Sequence, residues 1–280
     1  MQLLVHPEDG REVSDGFEFL SLINRKLAGG DVVTGSTGTR ELGLVVLGGQ
    51  CSVTSSRGEW KNIGRRPNVF SGMPYALYLP ISTSFRVMAE TACDLAFCYS
   101  KANEAHPAQL VTPTDVEVEI RGGANATRQI NKIFRPEFSA DRLLIVEVYT
   151  PSGNWSSYPP HKHDVHDLPA EVDLEEIYYY RIDRPEGYAI QKVYTRDRRI
   201  DATLTVRDGD MVGIPEGYHP VVAAHGYNVY YLNALAGSAR SMAATDDPDY
   251  EWVRGTWRDQ DPRVPMVTVD MEAPVALQRG

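Results

Sequence analysis

Apolar and polar positions alternate along most of this chain in short runs with a period of two, and few windows carry a period of 3.6. Successive side chains of an extended strand point to opposite faces, so such alternation marks half-buried strands. Runs of β-branched and aromatic residues at 42–47, 75–79, 85–88, 95–99, 143–149, 177–182, 189–194, 203–206 and 229–232 are separated by Gly, Pro and Asp clusters. That pattern predicts strands joined by turns. One window departs from it. In residues 16–27, Phe17, Leu20, Leu22 and Ile23 could share one face of a short helix. Many short strands at regular spacing argue for a mainly β protein, a sandwich or a barrel.

The chain repeats part of this pattern. Around residues 70–80 a turn feeds a strand ending at Pro80, followed by Phe85-Arg-Val-Met-Ala89; around 208–217 a turn feeds a strand ending at Pro215, followed by Val221-Val-Ala-Ala224. Two related β-domains are expected, with histidines at the key places of the second alone. The polar stretch 101–114, with Pro107 and Pro113, is the natural seam. The expected division is 1–112, 113–237 and a tail of 238–280, which Trp252 and Trp257 would pack against the body.

Composition narrows the function. Lys and Arg number 28 against 38 Asp and Glu in 280 residues, a net charge of −10. Nucleic-acid binding needs a basic surface to neutralise phosphates, so that class is excluded. No run of about 18 apolar residues exists to span a membrane. The start, Met1-Gln-Leu-Leu-Val-His-Pro7, turns polar too soon for a secretory signal. Cys51, Cys93 and Cys98 lack a CxxC spacing and read as reduced thiols, so the expectation is a cytoplasmic protein in which the sequons at Asn125 and Asn154 are not used.

The candidate chemistry lies in the second half. Five of the seven histidines fall between positions 161 and 225. His161 and His163, at i and i+2, share one face of an extended segment that Pro159 and Pro160 lead into. Glu175 or Glu176 supplies a carboxylate on the next strand. Parity groups Glu176 with Tyr178 and Tyr180, and Glu175 with Ile177, Tyr179 and Arg181. Further on, Gly209-x5-Pro215-x-Gly217-x-His219 presents a third imidazole after a bend. Three imidazoles and one carboxylate suit a divalent transition metal and leave coordination positions open, which catalysis requires.

The two pieces together resemble the paired motifs of the cupin superfamily, in which HxH plus Glu and a later His hold a metal inside a small barrel. Two departures stand out. Twelve residues separate His163 from Glu176, and Ala223 occupies the place where an Asn is usual. A longer set of residues narrows the resemblance: Arg121-Gly-Gly-Ala-Asn-Ala-Thr-Arg-Gln-Ile-Asn131, Tyr158-Pro-Pro-His-Lys-His-Asp164, Glu175-Glu-Ile-Tyr-Tyr-Tyr180, Gln191-Lys-Val-Tyr-Thr195 and the stretch 208–220. On these the chain resembles the 5-deoxy-glucuronate isomerase family of bacterial myo-inositol catabolism, related to the uronate ketol-isomerases of pectin breakdown.

That resemblance implies a bicupin of two jelly-roll-like barrels, the first degenerate, with a metal in the second held by His161, His163, Glu176 and His219. It implies an aldose–ketose isomerase converting 5-deoxy-glucuronate to 5-dehydro-2-deoxy-gluconate with one divalent ion, zinc first, with manganese, iron, cobalt and nickel also suited to the ligands. It leaves a homo-oligomer open. Tyr178, Tyr180 or a metal-held hydroxide would move the proton. A substrate carboxylate calls for a cation, and Arg121 and Arg128 in the glycine-rich stretch are the candidates. Arg181 and Lys162 point away by parity, whereas Gln191 could bond a sugar hydroxyl from inside the barrel. Competing readings are a 5-keto-4-deoxyuronate ketol-isomerase, an Fe(II) cupin dioxygenase and a non-catalytic sugar-binding bicupin.

Overall fold

The computed structural model describes residues 2–271, so the last part of the tail, 272–280, lies outside the described residues. It consists of two antiparallel β-barrels, each a large sheet facing a four-stranded one. In the first barrel the large sheet runs Gln109–Val111, Tyr75–Leu79, Arg40–Gly48, Cys93–Lys101, Leu20–Leu27, Glu12–Val13. Its small sheet runs Val32–Ser36, Ser84–Ala89, Cys51–Ser55, Gly58–Ile63. In the second barrel the large sheet runs Leu4–Val5, Met211–Ile214, Leu174–Ile182, Val229–Gly237, Leu144–Thr150, Arg128–Phe134, Glu117–Arg121. Its small sheet runs Trp155–Ser156, Val221–Ala223, Ala189–Tyr194, Asp201–Val206.

The two orders match except that the second large sheet has a seventh strand, Glu117–Arg121, and this gives the sequence repeat its physical meaning: Tyr75–Leu79 and Met211–Ile214 hold the same place. One strand breaks the chain order. The edge that Gln109–Val111 covers in the first barrel is covered in the second by Leu4–Val5, from the opposite end of the chain, in register with Val212 and Met211. The crossing from one barrel to the other falls between Val111 and Glu117.

Three apolar cores result. One fills the first barrel with Leu42, Leu44, Val46, Leu77, Val87 and Phe97. One lies in the second with Val146, Val148, Tyr178, Tyr180, Val193 and Tyr231. The third lies between the barrels, where the outer faces of both large sheets meet through Val45, Leu47, Tyr78, Ile145, Ile177 and Tyr179. Strands 40–48 and 174–182 are therefore buried on both faces, and this is why Leu42-Gly-Leu-Val-Val-Leu47 reads as an almost unbroken apolar run. At Gly43 the sheets come so close that a Cβ would sit 2.3 Å from the Ile145 side chain. A buried ion pair crosses the same interface: Arg66 donates to both carboxylate oxygens of Glu147, at 3.1 and 3.0 Å.

The helix expected over residues 16–27 is not formed; residues Leu20–Leu27 are a strand paired with Cys93–Lys101 and Glu12–Val13. Leu20 and Leu22, two apart, enter the inter-barrel core. Hydrogen bonds from two neighbouring strands and a period-two apolar face outweigh a helical face of four residues. In the tail, Trp252 is exposed, whereas Trp257 is half-buried against Gly123, and Val253 and Val267 are buried. Among the described residues no helix is long and apolar enough to cross a membrane.

Candidate metal centre

His161 belongs to a two-residue strand paired with Thr245–Asp246, and His163 follows it on the same face. His219 comes from the bend after Met211–Ile214, where Gly217 takes φ +91 and packs so closely on Tyr194 that a Cβ would meet its carbonyl oxygen at 2.5 Å. Glu176 projects from Leu174–Ile182 into the same barrel. The three imidazoles offer ligand atoms that all lie within 4.8 Å of one another. Glu176 Oε2 stands 3.1 Å from His163 Nε2 and 3.3 Å from His219 Nε2. His163 and His219 are buried, as is Glu176.

The outer hydrogen bonds set how the rings face. His163 Nδ1 contacts the Leu174 carbonyl at 3.0 Å and His219 Nδ1 the Gly217 carbonyl at 2.8 Å. A carbonyl only accepts, so each Nδ1 carries a proton; His219 Nε2 turns a lone pair inward, whereas His163 Nε2 donates to the Glu176 carboxylate through a proton that a cation would displace. His219 Nε2 is buried without a hydrogen-bond partner. An orphaned lone pair beside two further imidazoles and a carboxylate is the arrangement a cation completes, so these residues fit a divalent metal ion and could hold one.

The electrostatics agree. Burial pushes His219 down to about 4, and burial with the neighbouring His219 and His163 holds His161 well below the usual imidazole range. Both rings are neutral near pH 7 and free to ligate. Burial opposes ionisation of Glu176 and His163, yet their mutual hydrogen bond and opposite charges win, so Glu176 is lowered and His163 raised.

A cavity of about 410 Å³ opens onto this cluster, walled by Glu176, Tyr178, His161 and His163, with Arg121 and Arg128 also on its lining. The two arginines differ. Arg121 is held by Glu119, at 2.6 Å from Nε and 3.0 Å from Nη2. Arg128 is 4% exposed, donates to the Ala126 carbonyl at 3.2 Å, and has no carboxylate partner among the described residues. Burial, with Arg121 nearby, lowers it to about 10.

Tyr178 lies beside the cluster, its ring centroid 6.0 Å from that of His219. Burial raises its phenol well above the ordinary tyrosine range. Tyr180 and Gln191 sit deeper, off the cavity wall, where the Tyr180 hydroxyl donates to Gln191 Oε1 at 2.8 Å. Arg181 and Lys162 face away, Arg181 pairing with Asp94 and Asp208.

Asn233 escaped sequence reasoning. It lines the cavity, its Nδ2 donates to Glu176 Oε1, and its Oδ1 is buried without a partner. A polar residue inside Val-Tyr-Tyr-Leu-Asn-Ala-Leu was the available signal. Asp246 and Arg254, also on the lining, come from the tail and carried none.

The model of the KduI/IolB family matches residues 5–253. The chain belongs to the KduI/IolB family. Relatives in this family include the 5-deoxy-glucuronate isomerase of Geobacillus thermodenitrificans, 45% identical over 86% of this chain and 88% of its own length. That of Bacillus subtilis strain 168 is 37% identical, covering 90% of this chain and 99% of its own. An IolB-like protein from Salmonella typhimurium LT2 superposes with a TM-score of 0.88 at 36% identity, over 90% of this chain and 99% of that one. The oxalate decarboxylase of Lactobacillus farciminis, at 12% identity and a TM-score of 0.64 over 88% of each chain, shares the bicupin fold alone.

Proposed function

We propose that this member of the KduI/IolB family is a metal-dependent aldose–ketose isomerase that converts 5-deoxy-glucuronate to 5-dehydro-2-deoxy-gluconate in inositol catabolism. The observation that carries the reading is the meeting of His161, His163, His219 and Glu176 beside a cavity whose wall holds Arg128, a cation with no carboxylate partner among the described residues. Zinc is the ion we assign, on a ligand set that manganese, iron, cobalt and nickel also accept.

Such an isomerisation moves hydrogen from C2 to C1 while negative charge develops on the two neighbouring oxygens. A bound divalent ion supplies Lewis-acid stabilisation of that charge. The protein's own groups bind and orient the substrate and stabilise the developing charge. Arg128 receives the substrate carboxylate, since a buried guanidinium without a counter-ion gains most from a charged partner. The Tyr178 phenol, kept protonated by burial, donates to a developing oxyanion and does not act as base. Asn233 offers Oδ1 to a sugar hydroxyl and holds Glu176 by Nδ2.

The test is an NMR assay of 5-deoxy-glucuronate in D₂O, before and after removal of metal by a chelator. The expected outcome is conversion without oxygen uptake, lost on chelation and restored by Zn²⁺ or a neighbouring divalent ion. Oxygen consumption with Fe²⁺ and no ketose product would replace this reading with a dioxygenase.

A further inference from the structure

Lys162 stands between the two histidines on the opposite face of its strand, where it holds an ionic cluster. Its ammonium donates to Asp164 Oδ1 at 2.5 Å and Glu171 Oε1 at 2.7 Å. Asp164 Oδ2 accepts from the Gly217 N–H at 2.8 Å. Gly217 is also the residue whose carbonyl receives His219 Nδ1. Glu171 Oε1 accepts the N–H groups of Asp164 and Val165, at 2.8 and 3.0 Å, and its Oε2 accepts from the Thr245 hydroxyl. Thr245 lies in the strand paired with His161–Lys162.

Two segments that bring histidines to the centre are thus joined by a single carboxylate. One carries His161 and His163; the other is the Gly217–His219 bend. They share no backbone ladder among the described residues. The bend is fixed on its far side by the backbone pair of Tyr218 with Tyr194, so a shift of Asp164 reaches His219 through Gly217, whose N–H and C=O lie in successive peptide units.

We propose that Asp164 is a positioning residue that sets the spacing between the His161/His163 pair and His219. The inference rests on the metal-centre reading above. Partners outside the ligand shell typically carry about 10–100-fold in metal affinity. Asp164 reaches two ligand segments at once, so its loss falls in that range. Asp164→Asn keeps an acceptor for the Gly217 N–H and loses the charge that Lys162 pairs with, and its effect is intermediate.

The experiment titrates Co²⁺ into the metal-stripped full-length protein and records the dissociation constant, the visible absorption bands and the circular dichroism. Asp164→Ala weakens Co²⁺ binding about 10–100-fold and shifts the bands, with Asp164→Asn between it and the unaltered protein. A merely structural role would lower the melting temperature and leave the bands of the loaded protein in place. An Asp164→Ala protein with the original affinity and spectrum overturns the proposal; if that variant does not fold, an unchanged Asp164→Asn does so. Should the unaltered protein bind no Co²⁺, the metal centre itself falls, and this inference with it. Binding by the unaltered protein with no effect of either substitution removes only the role of Asp164.

Discussion

The two barrels share one strand order and differ in what their interiors hold. In the first, strand 40–48 turns Leu42, Leu44 and Val46 inward, and its neighbour 93–101 adds Leu95 and Phe97. In the second, the strands at the same places turn in Glu176, Tyr178 and Tyr180, with Tyr231 and Asn233 beside them. One interior closes on itself through apolar contact. The other does not, because His219 Nε2 and Asn233 Oδ1 are buried without partners and Arg128 has no carboxylate partner among the described residues. The same frame therefore serves once as a closed apolar half and once as a polar cage whose imidazoles could hold a metal ion.

Substitutions at matched depths test that division. His163→Ala should lower turnover about a thousandfold or more, since the Lewis-acid contribution amounts to several kcal/mol, while circular dichroism stays unchanged. Leu44→Ala, in the filled barrel, should do the opposite. It should cost about 2–5 kcal/mol of stability by leaving a cavity, read by urea melting, with turnover per folded molecule unaltered. Loss of turnover in folded Leu44→Ala protein would show that the first barrel shapes the site.

A pH experiment on metal-stripped protein separates the interiors next. His219 is lowered to about 4, so between its unfolded value of about 6.5 and that point the unfolded chain binds the proton and the folded one does not. Stability from this group is complete above the unfolded value and is lost as pH falls through the window. The loss is on the order of 3 kcal/mol by pH 4. His163, raised by Glu176, works the other way, so the measurement is the difference between the unaltered protein and His219→Gln. Parallel melting-temperature curves for the two would refute the burial argument.

Much of this was legible in the chain because it depends on local period. The expected strands all recur, strand parity separated Glu176 from Glu175, and His161 and His163 stand two apart, with His219 marked by its own Gly-x5-Pro-x-Gly-x-His spacing. Glu175 in fact serves the inter-barrel side, accepting the N–H groups of Phe19 and Leu20. What stayed hidden depends on which distant side chains meet. The spacing of Phe17, Leu20 and Ile23 imitates a helix until two partner strands are present. Leu4–Val5 is too short to declare itself an edge of the far sheet. Nothing in the stretch 121–128 says that Glu119 will occupy Arg121 and leave Arg128 free.

That last difference yields the smallest of these effects and the most specific. Arg121 and Arg128 face the same cavity, but a carboxylate already neutralises one, while the other bears its desolvation uncompensated. Replacing Arg121 should change little, as exposed pairs contribute about 0–1 kcal/mol. Arg128→Met should raise KM for the sugar acid about 10–100-fold, the loss of one charge-assisted contact of about 1.5–3 kcal/mol. Stability should hold or rise, because a buried unpaired charge is exchanged for an apolar side chain of similar length. The same variant should no longer distinguish the acid from an analogue with a neutral amide at that carbon. If Arg128→Met kept the original KM, or if Arg121→Met raised it more, the cation waiting in the second barrel would have to be sought among Lys132, Arg135 and Arg254 on the same wall.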